Sequence, residues 1–358
     1  MKVLFINIAF EGHHLDYLRS LCTINEIDSH VILQKRIPNL NCKQYVIPDL
    51  QFGTNKILEH LKWCLRVKKI AKEVNPDVIH LVWGDSFYRF FGIGFFWIKK
   101  YRSIITFHQI RKSKLHQMSI KIFSKIFSTV VVHTESLYEE LLANNIKNVC
   151  EITYPNFRNL KCIPQSIAQE YLGIKTKNPV LLSLGGTRFD KGLDILMLAL
   201  TKVKEPFHLL IAGAEQNIKY KDIKKATNCY AYNTTVILKY LTEEEMQACY
   251  CACDYIILPY RKIFDGASGP LAEGTAYGKG IIGPSHGSIG QIIKDNHIGT
   301  CFITEDVDSL ATSIENILRN GFIYDKKAKE YQDNLKIATF QDRHRRLYAN
   351  LLTEGGTK

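Results

Sequence analysis

No apolar run in this 358-residue chain approaches the ~20 residues needed to cross a bilayer. Met1 to Phe10 is apolar but short. Glu11-Gly12-His13-His14 follows it where a secretory leader would carry small residues for cleavage, so the stretch reads as a first β-strand. Ten cysteines lie scattered with no such leader ahead of them, which favours reduced thiols and a cytoplasmic location. Convincing metal ligands are also lacking. Cys249, Cys251 and Cys253 fall in a helical pattern, where a spacing of two sends neighbours to different faces. Asp306-Val307-Asp308 opens a helix over Ser309 to Leu318, where acidic residues cap. The Gly-x-Gly-x-x-Gly fingerprint of dinucleotide sites is absent. Acidic residues are missing altogether between Asp85 and Glu135, while nine basic ones stand there: Arg89, Lys99, Lys100, Arg102, Arg111, Lys112, Lys114, Lys121 and Lys125. That bias implies an anionic partner, such as a phospholipid surface, a lipid-linked phosphate or nucleic acid.

What is present is an ordinary globular composition, 46% apolar and 23% charged, long enough for two domains. Strand-like runs recur at Lys2 to Ile8, Val31 to Leu33, Val78 to Val82, Ile104 to Phe107 and Thr129 to Val132. Helical patterns separate them, notably Asn55 to Val74 and Leu137 to Ala143. Such alternation argues for a doubly wound parallel sheet. Tyr154-Pro155-Asn156-Phe157 ends this half, and the polar segment Arg158 to Gln165 reads as a linker. A second series begins at Val180 to Leu184 and continues through Phe207 to Gly213 and Val236 to Leu241. Thr242 and Glu245 have the spacing of a capping box. A last helical pattern runs from about Lys327 to Leu352. The aromatic stretch Phe87 to Ile98 reads as a buried helix against the first sheet.

Two stretches carry chemistry. Gly185-Gly186-Thr187-Arg188-Phe189-Asp190-Lys191-Gly192 places a glycine pair after a strand and a cation at a helix start, an arrangement suited to a pyrophosphate. Tyr255 to Pro259 reads as a buried strand, followed by the loop Asp265-Gly266-Ala267-Ser268-Gly269-Pro270. Pro270 is placed to open a helix with Glu273 in its first turn and Gly278 at its end. Asp265 and Glu273, with seven residues between them, flank a helix N-terminus that favours anions.

This last stretch resembles the acidic-x7-acidic signature of the retaining, nucleotide-sugar-dependent glycosyltransferases of the GT-B fold, in particular glycosyltransferase family 4. The resemblance covers nearly the whole chain and is strongest from Val180 to Ile282. It implies two Rossmann-like doubly wound parallel-sheet domains facing a cleft. Residues 1–160 would form the acceptor side, residues 161–335 the nucleotide-sugar side, and residues 336–358 a helix returning to the first domain. Glu273 matches the carboxylate that bonds the nucleotide ribose. Asp265 stands where the family commonly has the Glu that holds the donor sugar, and Lys191 matches the phosphate-binding lysine. The family's Arg five residues before that lysine is replaced here by Gly186, and Arg188 is the candidate substitute. His108 matches a strand-end histidine beside the donor sugar, and His133 and Glu135 end the next strand. Gly12, Gly185, Gly213, Tyr240, Leu241, Gly266, Ser268 and Gly269 complete the implied donor site.

With no convincing metal constellation, and with backbone amides and Lys191 able to carry the diphosphate charge, the enzyme is expected to be metal-independent and without a resident cofactor. Its donor would be a UDP- or GDP-linked sugar and its acceptor a glycan or polyprenyl-linked glycan of a cell-surface polysaccharide. The resemblance implies no nucleic acid partner. The basic region 86–134 would hold the enzyme peripherally on an anionic membrane surface. Two alternatives are another GT-B enzyme, an epimerase or phosphorylase, and a catalytically silent sugar-nucleotide-binding protein.

Overall fold

The computed structural model describes residues 1–8, 13–48, 56–108, 113–158, 161–227, 233–264 and 268–353. The chain divides into two compact units, one formed by Met1–Phe157 with Lys336–Lys358, the other by Arg158–Leu335.

Unit 1 contains seven strands: β1 (Lys2–Ile6), β2 (Asp28–Leu33), β3 (Lys43–Val46), β4 (Val78–Leu81), β5 (Arg102–Thr106), β6 (Thr129–Val132) and β7 (Val149–Glu151). They pair in parallel in the order β3-β2-β1-β4-β5-β6-β7. The central strands are continuous apolar runs because helices cover both faces of the sheet, and Val3 to Ile6 and Val130 to Val132 are fully buried. Edge strands β3 and β7 hold no fully buried residue, and their mixed sequences gave no strand signal.

The aromatic stretch is buried, but not as one helix. Two short 3-10 segments, Gly84–Phe90 and Phe96–Lys100, are separated by a reversal in which Phe91, Gly92 and Gly94 take φ of 48°, 73° and 86°. A Cβ on Gly94 would stand 2.6 Å from Cys64 Sγ, so the reversal is pressed against the helix Lys56–Val74. Phe87, Phe90, Phe95 and Ile98 point into the core.

Unit 2 has six strands: β8 (Val180–Leu184), β9 (His208–Ala212), β10 (Thr234–Ile237), β11 (Tyr255–Ile257), β12 (Gly280–Pro284) and β13 (Gly299–Phe302). They are parallel in the order β10-β9-β8-β11-β12-β13. In each sheet the strand order reverses direction at the middle, between β1 and β4 and between β8 and β11. The crevice beyond the carboxyl ends of such a pair is where open α/β sheets bind ligands.

The last helical pattern is two helices, Lys326–Asn334 and Ile337–Thr353, broken at Leu335 and Lys336, where unit 2 gives way to unit 1. The final helix buries Phe340, His344 and Tyr348, one residue per turn along a single face, in unit 1. Tyr348 Oη lies 2.8 Å from His80 Nδ1. Among the described residues no helix is long and apolar enough to cross a membrane.

Candidate active site

The carboxyl edge of the unit 2 sheet begins with two glycines whose backbones other residues rarely adopt. Gly185 follows β8 with φ of 131°, and Gly213 follows β9 with φ of 137°. They abut: a Cβ on Gly213 would sit 2.1 Å from the Gly185 carbonyl oxygen. A Cβ on Gly185 would meet nothing within 4 Å, so its backbone is bare toward open space. Thr187 ties the following loop down, donating from Oγ1 to the Ile218 carbonyl at 2.7 Å and accepting the Gln216 N–H at 2.7 Å. Gly192 closes the loop with φ of 64°, pressed so closely on the segment after β11 that a Cβ would lie 1.9 Å from the Pro259 carbonyl oxygen. Arg261 fastens the same turn, its guanidinium bidentate on Asp194 at 2.9 and 2.8 Å and stacked 3.9 Å over Phe189.

This clamp brings Lys191 to the end of β11. Its Nζ lies 3.7 Å from the Tyr260 ring centroid and 4.1 Å from that of Phe264, a cation held on aromatic faces. Burial, and then repulsion from Arg188, lower its pKa to about 8 against the opposing pull of Asp190. Arg188 stands beside it, half exposed and bidentate on Asp190 at 2.9 and 2.6 Å.

Tyr260 links this cation to the next element. Its hydroxyl is 3.2 Å from Ser268 Oγ, and Ser268 caps the helix Gly269–Ala276 by accepting the Leu271 N–H at 3.3 Å. Pro270 lies in the first turn of that helix, as its sequence suggests. Glu273 does not: it is the fifth helical residue, because the cap is Ser268. A helical side chain leans toward the N-terminus, and Glu273 Oε1 reaches to within 3.6 Å of where a Gly269 Cβ would stand. Arg158 Nε donates to this oxygen at 2.8 Å. Glu273 Oε2 is buried with no hydrogen-bond partner among the described residues, although the Tyr250 phenol is near enough to interact with the carboxylate. Burial raises the Glu273 pKa, and Arg158 and Tyr250 oppose the shift. The helix ends in a Schellman turn at Gly278, φ 71°, with Lys279 N–H donating to Gly274. Beyond β10, Tyr240 is 88% exposed and Leu241 partly buried, before a capping box formed by Thr242 and Glu245.

At the carboxyl edge of the unit 1 sheet, His108 stacks on Trp83 with centroids 3.4 Å apart. Its Nε2 is 2.9 Å from the Val82 carbonyl oxygen and its Nδ1 is 3.1 Å from His133 Nε2. The Asp85 carboxylate accepts its backbone N–H at 2.9 Å. Both ring nitrogens are thus engaged within unit 1.

Residues 165–336 match the family described as glycosyl transferases group 1. That match spans most of unit 2, Arg158–Leu335. The fold of the chain is GT-B, two Rossmann-like parallel-sheet domains. Among similar structures, a glycosyltransferase from Rickettsia africae is 18% identical with a TM-score of 0.69, covering 99% of both chains. Anabaena HepE in complex with UDP and glucose is 15% identical with a TM-score of 0.64, over 98% of this chain and 100% of that one. The lipopolysaccharide outer core galactosyltransferase WaaB is 13% identical with a TM-score of 0.69, with the same coverage. An uncharacterised glycosyltransferase of Methanocaldococcus jannaschii is 23% identical over 158 residues, 42% of this chain, so the match spans about two fifths of that relative's length (39%).

Unit 2 brings together Gly185, Gly213, Lys191, Ser268, Gly269 and Glu273 along one edge of its sheet. Gly186 adjoins Gln216, whose Oε1 lies 2.6 Å from where a Cβ would be. Gly12, Asp265 and Gly266 lie outside the described residues, as do Arg111 and Lys112. Sequence reasoning missed Tyr260, Phe264, Tyr250 and Arg158. Tyr260 had a signal, since it lies three residues past the strand that ends at the switch point. Arg158 had none, because its partner is 115 positions away. Asp306 caps its helix through the Ser309 N–H at 2.8 Å. Among the described residues no three His, Cys, Asp or Glu side chains group as metal ligands.

Proposed function

We propose that the protein is a retaining glycosyltransferase of family 4, using a UDP- or GDP-sugar and an acceptor glycan or polyprenyl-linked glycan of a cell-surface polysaccharide. The observation that carries this reading is the linked series Lys191, Tyr260, Ser268 and Glu273 beside the bare backbone of Gly185. It offers a cation and peptide N–H groups to a diphosphate and a carboxylate to ribose hydroxyls. UDP bound to HepE, a protein of the same fold, supports the uridine choice.

In this reading the bond between the sugar anomeric carbon and the diphosphate oxygen breaks, and Lys191, with Arg188, stabilises the departing charge. The acceptor hydroxyl bonds to the anomeric carbon on the face that the leaving group vacates, and its proton passes to the departing phosphate oxygen. Asp265 orients the sugar and Glu273 holds the ribose. No metal is required, so turnover survives exhaustive chelation.

The membrane-facing region would include the helix Lys114–Ser124, where Leu115 and Met118 are 65% and 49% exposed beside Lys114 and Lys121. This surface suits a protein held at the cytoplasmic face of a membrane near a lipid-linked acceptor. The test is incubation with a panel of nucleotide sugars, with and without lipid-linked acceptors. A new glycosidic product with the donor's anomeric configuration supports the reading. Rearranged nucleotide sugar, or binding without turnover, would replace it with an epimerase or a silent binder.

A further inference from the structure

His108 and His133 face each other at the carboxyl ends of β5 and β6, and their partners leave a proton unaccounted for. His108 Nε2 meets the Val82 carbonyl oxygen at 2.9 Å, and His133 Nδ1 meets the Ile152 carbonyl oxygen at 2.7 Å. A carbonyl oxygen only accepts, so both of these outer nitrogens must carry hydrogen. A neutral imidazole has one N–H. The inner nitrogens, His108 Nδ1 and His133 Nε2, would then both be bare lone pairs, yet they lie 3.1 Å apart.

Three protons satisfy three hydrogen bonds here, where two neutral rings supply only two. We propose that His108 and His133 share one additional proton between Nδ1 and Nε2, and that His133 thereby sets the charge of His108. The pair is then a monocation, His133 buried and His108 partly buried, at the ligand-binding edge of unit 1.

The groups around it pull both ways. Burial lowers the pKa of both rings, that of His133 to about 4, and His133, then His14 and His80, add repulsion at His108. His344, from the final helix, is close enough to couple electrostatically to both His133 and His80, and burial keeps it neutral. Tyr17 and Tyr154 each meet both histidines in T-shaped contacts, and burial raises the phenol pKa of each, so neither supplies an anion. On the favourable side, the Trp83 face lies 3.4 Å from the His108 ring, and Asp85 holds the His108 backbone N–H at 2.9 Å. The deciding contribution is the inner contact itself. Without the proton, two lone pairs face each other where solvent screens them poorly, and a hydrogen bond is lost.

Nothing in this pair depends on how unit 2 binds a donor. Neutron diffraction from crystals of the unmodified protein in deuterated buffer near neutrality should reveal deuterium at His108 Nε2, at His133 Nδ1 and between the inner nitrogens. An empty inner contact, or a bare nitrogen against either carbonyl, would overturn the assignment. A second readout is His133→Gln, whose amide N–H replaces the shared proton with a neutral donor. A proton shared in this way, against the direction in which burial shifts both rings, is held more tightly in the folded protein than in the unfolded chain, so it stabilises at low pH, and that contribution fades as pH rises through the pair's pKa. Wild type should therefore lose melting temperature relative to His133→Gln as pH rises above the ordinary histidine range. A difference that stays constant with pH contradicts the shared proton. If the variant does not fold, the neutron result decides.

Discussion

Replacing Arg158 by leucine removes the ion-pair partner of a carboxylate that is otherwise enclosed. The Glu273 side chain is 13% exposed and that of Arg158 46%, so the pair lies between a surface bridge and a buried one. Exposed pairs are worth about 0–1 kcal/mol, while stripping one partner from a buried pair costs about 3–5 kcal/mol. The half-exposed guanidinium argues for a value near the lower limit, about 1–2 kcal/mol. For a domain of this size that lowers the melting temperature of unit 2 by roughly 3–6 °C. The pH dependence has a definite sign. Burial already raises the Glu273 pKa, and Arg158 opposes that shift. An acid with a raised pKa in the folded state favours its protonated form there, so its cost appears as pH rises and disappears as pH falls. The deficit of Arg158→Leu should thus be full near neutrality and shrink as pH approaches the carboxylate range. Differential scanning calorimetry from pH 4.5 to 8 reads this directly. A variant that melts with wild type at neutral pH, or a deficit that grows in acid, would refute the role of the pair.

Lys191→Ala should cost about 2–4 kcal/mol of transition-state stabilisation with little change in melting temperature, measured by donor turnover on the purified variant; wild-type turnover would remove Lys191 as the leaving-group cation. Arg188→Ala should produce a smaller loss if Arg188 serves in place of the arginine absent at Gly186, and no loss would end that idea. Since the Lys191 pKa is lowered to about 8, its charge is present below that pH and lost above it, so nucleoside diphosphate affinity should fall between pH 7 and 9 in wild type but not in Lys191→Ala. Wild type should sediment with anionic vesicles at low salt, and Lys114→Glu with Lys121→Glu should weaken this about tenfold or more, each lysine being worth about 1 kcal/mol near such a surface; failure of wild type to sediment would exclude the membrane surface.

Much of this architecture was legible because both sheets are parallel. Buried strands such as Val180–Leu184 and Thr129–Val132 must be continuous apolar runs, and that signal survives without any tertiary information. The capping box at Thr242 and the glycine at Gly278 were legible for the same reason: their chemistry is local. Edge strands β3 and β7, half solvated, had no comparable pattern. The split between Lys326–Asn334 and Ile337–Thr353 escaped notice because Leu335 and Lys336 are themselves good helix formers. Lys191 and Glu273 stood out by spacing. The aromatic seat of Lys191, the hold of Arg158 on Glu273 and the engagement of both His108 nitrogens arise from contacts between distant segments, which no single window of sequence contains.

The central claim is that the nucleotide half of a sugar donor is held at the carboxyl edge of the unit 2 sheet, by Lys191 and Glu273. Calorimetric titration of UDP, GDP and their sugar conjugates into wild type, Glu273→Gln and Asp265→Asn tests it most directly. Losing one charge-assisted hydrogen bond is worth about 1.5–3 kcal/mol. Glu273→Gln should therefore weaken the free diphosphate and the intact donor alike by roughly tenfold or more. Asp265→Asn should weaken the intact donor far more than the free diphosphate. Full affinity for both ligands in Glu273→Gln, or no nucleotide binding by wild type, would contradict the account.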